Sequence, residues 1–254
     1  MEQGPQIKKI VDPPRLHEKP LHPNLPQPPA LVLMVMPVKS GKSTIISNLL
    51  LNDNFFGQDF FDITKIISTT INNDLTSRFL KQAFDCEDHY DDNIIYDFVK
   101  NQKKFGSAHL MPSACIIADD CLGEKTTALD NLASRYRHSN VKLFVVSTQL
   151  FRKVSPTIRA NATNVLIGKL QNIKELEKLS EEFADMFGGD KNFRQLYSIA
   201  TKERYSFLHL NLQENPAEAW IKFDSKIYPS SSMPEKKDED IDMDEPEPEP
   251  EPEL

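Results

Sequence analysis

The chain is 254 residues long with a formal net charge of −8, but residues 233–254 hold 11 acidic side chains against 2 lysines, leaving 28 basic and 27 acidic side chains in residues 1–232. That length accommodates one α/β domain with flanking segments. No apolar run approaches the roughly 18 residues of a membrane span, and Cys86, Cys115 and Cys121 have neither metal-ligand spacing nor a disulfide framework, so membrane, zinc and disulfide-scaffold classes are set aside.

Residues 1–30 are rich in proline, with HPNLPQPPA at their end, and read as an extended arm rather than a signal peptide. LVLMVM then reads as a strand running directly into Pro37-Val38-Lys39-Ser40-Gly41-Lys42-Ser43-Thr44, after which IISNLLL continues as a helix. Strand, loop and helix match the second half of the phosphate-binding pattern G-x-x-x-x-G-K-[ST]. In that pattern Gly41 lets the backbone approach a phosphate, Lys42 sets an ammonium on the β- and γ-phosphates, and the Ser43 hydroxyl ligands Mg²⁺. The first amides of the helix point at the anion, and Thr44 adds a second hydroxyl. The pattern's first glycine is replaced by Met36. A bulky residue at positive φ costs roughly 1–2 kcal/mol, so a differently shaped loop entry is expected, with Pro37 fixing it.

FDITKIISTT (61–70) reads as a second strand ending in hydroxyls, NDLTSRFLKQAF as a helix, CEDHYDDN as an acidic turn and IIYDFVKNQKKF as a helix exposing Lys100, Lys103 and Lys104. SACIIADDCLG (113–123) is an apolar strand that stops at Asp119-Asp120, with Cys115 as a small core residue. A carboxylate at the tip of the strand beside a phosphate loop holds the Mg²⁺ shell, and an acid next to it polarises the attacking water. Residues 124–137 read as a helix ending in Arg135-Tyr136-Arg137-His138, and NVKLFVVSTQ as a buried strand ending at Thr148-Gln149, whose amide suits orienting water and sensing a γ-phosphate. SPTIRANATNVLIG puts Arg159 in a turn before another strand. Two helices follow, QNIKELEKLSEEFADMF and KNFRQLYSIATK, then strands YSFLHLNL and AWIKFD, with Trp220 as a core or sheet-face aromatic. The expected organisation is an arm (1–30), an α/β domain (31–228) and an acidic tail (229–254) that buries nothing.

The phosphate loop, the DD strand tip, the R-Y-R-H-S-N-V turn, the strand ending in STQ and SPTIRAN, in this order, make the chain resemble the FtsK-HerA superfamily of DNA-pumping ATPases. Within it, the match looks closest to the poxvirus-type genome-packaging ATPases of large DNA viruses and virophages. The resemblance covers about residues 31–224 and implies a P-loop NTPase fold of the RecA/FtsK-HerA kind, a mostly parallel sheet flanked by helices. It also implies ATP and Mg²⁺ as cofactors. Double-stranded DNA is the implied substrate, read without sequence preference by a homo-oligomeric ring that meets capsid or portal components in the host cytoplasm or the virion. Carried over by position, Lys42 contacts the phosphates, Ser43 and Asp119 serve Mg²⁺, Asp120 is the catalytic carboxylate and Gln149 the polar sensor. Arg137, or failing it Arg135, is the finger given to a neighbouring subunit.

Other readings compete. A small-molecule or nucleotide kinase also uses S-G-K-S and a strand-tip acid, but only Arg152, Arg159 and Arg194 are candidates for its lid. A regulatory GTPase wants N-K-x-D, which is missing. A catalytically weak P-loop scaffold is the reading that Met36 favours.

Overall fold

A computed structural model describes residues 21–72, 77–107, 110–123 and 126–229. The first twenty residues of the expected arm, the helix starts expected at 73–76 and 124–125, and all but the first residue of the acidic tail lie outside the described residues.

The elements in chain order are β1 (Ala30–Val35), α1 (Lys42–Leu51), β2 (Ile63–Ser68), α2 (Ser77–Ala83), β3 (Asp85–Glu87), α3 (Asp92–Lys103), β4 (Ala114–Asp119), α4 (Thr127–Arg135), β5 (Val141–Thr148), α5 (Pro156–Asn161), β6 (Asn164–Gly168), α6 (Ile173–Phe183), α7 (Asp190–Ala200), β7 (Phe207–Asn211), β8 (Glu218–Ile221) and β9 (Ser225–Ile227). Among the described residues the strands form one nine-stranded sheet in the order β3-β2-β4-β5-β1-β6-β7-β8-β9. Strands β3 to β6 in that order run parallel, and β7, β8 and β9 run antiparallel beyond them. This is the α/β class, with a mostly parallel sheet, that the alternation of apolar strands and helices predicts.

The continuous apolar runs follow from burial on both faces. Along β1, Leu31, Leu33 and Val35 join the core shared with α3, α4, α5, α6 and α7. Ala30, Val32 and Met34 point the other way, into the core shared with α1 and α2, as the two-residue period of a strand requires. Cys115 is fully buried in β4, and burial lifts its thiol far above the usual range, so it is an inert core residue.

Several expectations need correction. The strand ending in Asp119 does not lie beside β1: β5 pairs with both, in register from Ala30↔Leu143 to Val35↔Thr148 on one side and through Asp119↔Ser147 on the other. The start of the acidic turn CEDHYDDN, with Asp85 just before it, belongs to an edge strand, β3, whose Asp85 and Glu87 take Lys65 Nζ of β2 at 2.7 and 2.8 Å. Charges on an edge strand discourage further pairing. Arg159 lies in a short helix, α5, not a turn; Ser155 caps it by accepting from Ile158 N, and Pro156 occupies the first helical position. Part of the expected arm packs against the domain: Leu25 is buried, Asn24 Nδ2 donates to Phe223 O at 3.0 Å, and Gln27 exchanges hydrogen bonds with Gln213.

His209 on β7 carries a pH-dependent part of the stability. It is fully buried, beside the ring of Phe223, and Asn164 Nδ2 donates to its Nε2 at 3.0 Å, which requires the neutral ring. Burial pulls its pKa down to about 4, against a weaker opposing pull from the Lys222 backbone. The unfolded chain titrates near 6.5 and so binds a proton that the folded chain refuses between those values. Stability from this group is therefore complete above about pH 6.5 and falls as pH drops towards 4, by roughly 3 kcal/mol. Denaturant midpoints at pH 7.5 and 4.5 are expected to differ less in His209→Gln than in the unaltered protein. Equal differences would show that His209 is not the source.

Candidate active site

The phosphate-loop region starts where β1 ends. Met36 extends the ladder by donating its amide to Thr148 O at 2.9 Å, and its side chain is fully buried. Gly168, the last residue of β6, makes room for it, since a Cβ there would meet Met36 Cγ at 3.2 Å. The glycine absent from the loop is thus matched by a glycine on the neighbouring strand. Met36 does not have positive φ; Lys39 (φ 61°) and Gly41 (φ 95°) do, so the loop has the differently shaped entry expected of Met36 and makes its left-handed turn later. Ser40 Oγ donates to Pro37 O at 2.7 Å across that turn, leaving Val38 65 % exposed at its tip.

Gly41 is the N-cap of α1 in left-handed geometry, which a side chain would disfavour. No side chain caps this end and no acid lies in its first turn. The first amides of α1 and the positive end of its dipole therefore favour an anion.

Two strand tips complete the cluster. Lys42 Nζ is 3.1 Å from Asp119 Oδ1 and hydrogen-bonds to Asp120 Oδ2, although these acids lie at the tip of β4, two strands away from β1. Only the long lysine stem bridges that gap. Asp119 is 4 % exposed, and its two oxygens accept from hydroxyls on both neighbouring strands, Ser68 Oγ of β2 at 2.8 Å and Ser147 Oγ of β5. These bonds hold the carboxylate in one orientation. Asp120 leaves the strand in left-handed geometry (φ 53°), its amide donating to Ser147 O at 3.1 Å. Aspartate tolerates this conformation better than most residues. Gln149, exposed just past β5, donates from Nε2 to Asp120 Oδ2 at 3.3 Å. The structure thus brings Lys42, Asp119, Asp120 and Gln149 together at the carboxyl end of the strands, from which the residue 37–44 loop emerges.

These residues fit a phosphate–Mg²⁺ ligand. The half-buried Ser43 hydroxyl makes no hydrogen bond among the described residues and opens the same helix as Lys42. Among the described residues, no group of three or more His, Cys, Asp or Glu side chains forms a metal cage. Mg²⁺ at phosphates takes only one or two carboxylates and keeps several waters, so one hydroxyl and an oriented Asp119 suffice on the protein side.

Arg135 and Arg137 are not part of this cluster. They lie at the end of α4 and in the 3₁₀ turn Tyr136–Ser139 after it, at the opposite end of the strands, where Tyr136 Oη donates to Pro29 O ahead of β1. The eight residues of β5 separate the two ends, roughly 25 Å at strand rise. Both arginines are exposed, and Arg137 Nε donates to Tyr136 Oη at 3.3 Å. Exposed Lys100, Lys103 and Lys104 end α3 near the same turn, where Gln102 Nε2 reaches Ser139 O at 3.0 Å. Sequence reading missed Ser68 and Ser147 as the groups that orient Asp119. Their only signal is that each lies in the run of hydroxyls where a strand ends, Ser68 as the last residue of β2 and Ser147 just before Thr148.

No family model matches the chain. It is 23 % identical over 198 residues to an uncharacterized protein, 075L, of Invertebrate iridescent virus 6, covering 74 % of this chain and 73 % of that protein. It is 25 % identical over 177 residues to uncharacterized protein 088R of Invertebrate iridescent virus 3, covering 68 % of this chain and 65 % of that protein. Among solved structures, it resembles the genome packaging NTPase B204 of Sulfolobus turreted icosahedral virus 2 in complex with ATP-gammaS. That match has a TM-score of 0.53 at 17 % identity and covers 76 % of this chain and 95 % of that one. The P-loop NTPase fold expected from the sequence is therefore present, and the likeness to packaging ATPases holds at the level of fold.

Proposed function

We propose that this chain is an ATPase that pumps double-stranded DNA into a viral capsid, working as a homo-oligomeric ring. The observation that carries the reading is the meeting of Lys42, Asp119, Asp120 and Gln149 at one end of the strands, on a fold shared with a genome packaging NTPase. In this reading residues 37–44 bind the phosphates of ATP through loop and helix amides, and Lys42 neutralises the β- and γ-oxygens. Ser43 and Asp119 would hold Mg²⁺, which when bound would supply charge neutralisation at the transferring phosphoryl. Asp120 accepts the proton of the attacking water, and Gln149, already hydrogen-bonded to it, orients that water and reports the γ-phosphate. Double-stranded DNA without sequence preference is the substrate, capsid or portal components are the partners, and the host cytoplasm or virion is the setting.

The motor reading is tested by phosphate release from ATP and Mg²⁺ with and without double-stranded DNA; stimulation by DNA is expected, and turnover indifferent to DNA would count against it. The two acids are expected to separate. Asp120→Asn should bind ATP normally and turn over about 10²–10⁴ more slowly, as loss of a general base does, whereas Asp119→Asn should weaken Mg²⁺-dependent ATP binding. Titration of nucleotide with and without Mg²⁺ distinguishes them, and equal effects on binding would sink this division.

A further inference from the structure

Resting on the reading of residues 37–44 as a phosphate site, we infer that Tyr205, backed by Arg204, is the surface on which the base of the nucleotide stacks. The sheet register sets the location. β7 is antiparallel to β6 with Phe207↔Gly168, so the loop before β7 emerges at the same end of the strands as the phosphate loop. It does so on the side of β1 away from β5 and β4. In that reading the carboxylates that face a γ-phosphate are at the tip of β4, so a nucleotide lying across the start of α1 extends its base away from them, towards β6 and β7.

Contact and conformation agree with that placement. A Cβ on Gly41 would touch Tyr205 Cδ1 at 3.5 Å, which puts the tyrosine ring against the loop residue immediately before Lys42. Tyr205 is 51 % exposed and has φ 61°. A bulky aromatic in the left-handed region is disfavoured, and such outliers concentrate at ligand-binding positions. The guanidinium of Arg204 lies 4.6 Å from the ring centroid, within cation–π range. An exposed aromatic held in a strained conformation against a phosphate loop, with a cation on its ring, offers a flat π-surface at the distal end of the site.

The test is titration calorimetry of the full chain with two probes in the presence of Mg²⁺: ATP, and inorganic tripolyphosphate, which has the phosphates but no base. Tyr205→Ala is expected to weaken ATP about tenfold or more, the scale of one base–aromatic stack, and to leave tripolyphosphate unchanged. Tyr205→Trp should keep ATP affinity close to that of the unaltered protein. Tyr205→Gly removes the ring and relaxes the left-handed backbone, so its unliganded Tm should be no lower than the parent's while its ATP affinity falls like that of Tyr205→Ala. Unchanged ATP affinity in Tyr205→Ala, or ATP and tripolyphosphate weakened together, overturns the stacking assignment and leaves the phosphate site standing. Failure of the unaltered protein to bind either probe overturns both.

Discussion

Lys42→Ala protein is expected to lose ATP hydrolysis by about 10³-fold or more, because no other cation among the described residues reaches the carboxylate cluster and removal of one preorganised charge donor already costs about 10²–10³. The same substitution should lower stability. Lys42 Nζ contacts both Asp119 and Asp120, and Asp119 is 4 % exposed, so its loss leaves two adjacent acids without their counter-charge. Breaking a buried ion pair from one side costs about 3 kcal/mol or more. The two losses are separable. Adding Asp120→Asn to Lys42→Ala removes one of the stranded charges and should recover part of the Tm without recovering turnover. Recovery of both together would mean that the inactivity was only misfolding.

The second large effect concerns Arg137. Arg137→Ala is expected to bind ATP with little change and to hydrolyse it about 10³–10⁵ more slowly, as loss of an arginine finger does. Loss of an exposed pair instead costs about 0–1 kcal/mol. The location supports action on a neighbour. Arg137 sits at the opposite end of the strands from its own Lys42, and a ring closed by heterologous contacts brings one face of each protomer to a different face of the next. Complementation checks it. In this account Arg137→Ala would keep an intact nucleotide site but offer no finger, and Lys42→Ala would offer the finger but have no site. Co-assembled in equal amounts, they form productive interfaces at about a quarter of positions in a random ring, and hydrolysis should return in part. A mixture that stays silent although both proteins assemble would place the finger elsewhere, with Arg135 the next substitution to make.

How much of this was legible from sequence differs by element. The strand–loop–helix around Lys42, the strand ending at Asp119-Asp120 and the strand ending at Thr148-Gln149 were readable because their apolar runs are continuous and stop abruptly. A strand buried on both faces has that pattern. Their lateral order was not readable. Burial in the middle of a sheet looks the same whichever strand lies alongside, so the insertion of β5 between β1 and β4 left no trace in either run. β3 was hidden because an edge strand of Asp85, Cys86 and Glu87 has the composition of a turn, and only its partner Lys65 gives it away. α5 did carry a signal, Ser155 as cap and Pro156 at the first helical position, but six residues are too few for a helical period. The geometry at Met36 depended on Gly168, far along the chain and silent without the sheet register. Tyr205 was missed for the same reason: it reads as the first residue of the strand YSFLHLNL until its left-handed backbone and its contact with Gly41 are seen.

The central claim is movement along DNA driven by ATP, and displacement of a third strand measures it most directly. A triplex-forming oligonucleotide bound near one end of a double-stranded fragment is incubated with the full chain, ATP and Mg²⁺, and its release is followed over time. The motor account predicts release that requires ATP, disappears with Lys42→Ala and slows as the distance from the free end to the triplex grows. Hydrolysis of ATP that proceeds on the same DNA while the third strand stays bound would contradict it.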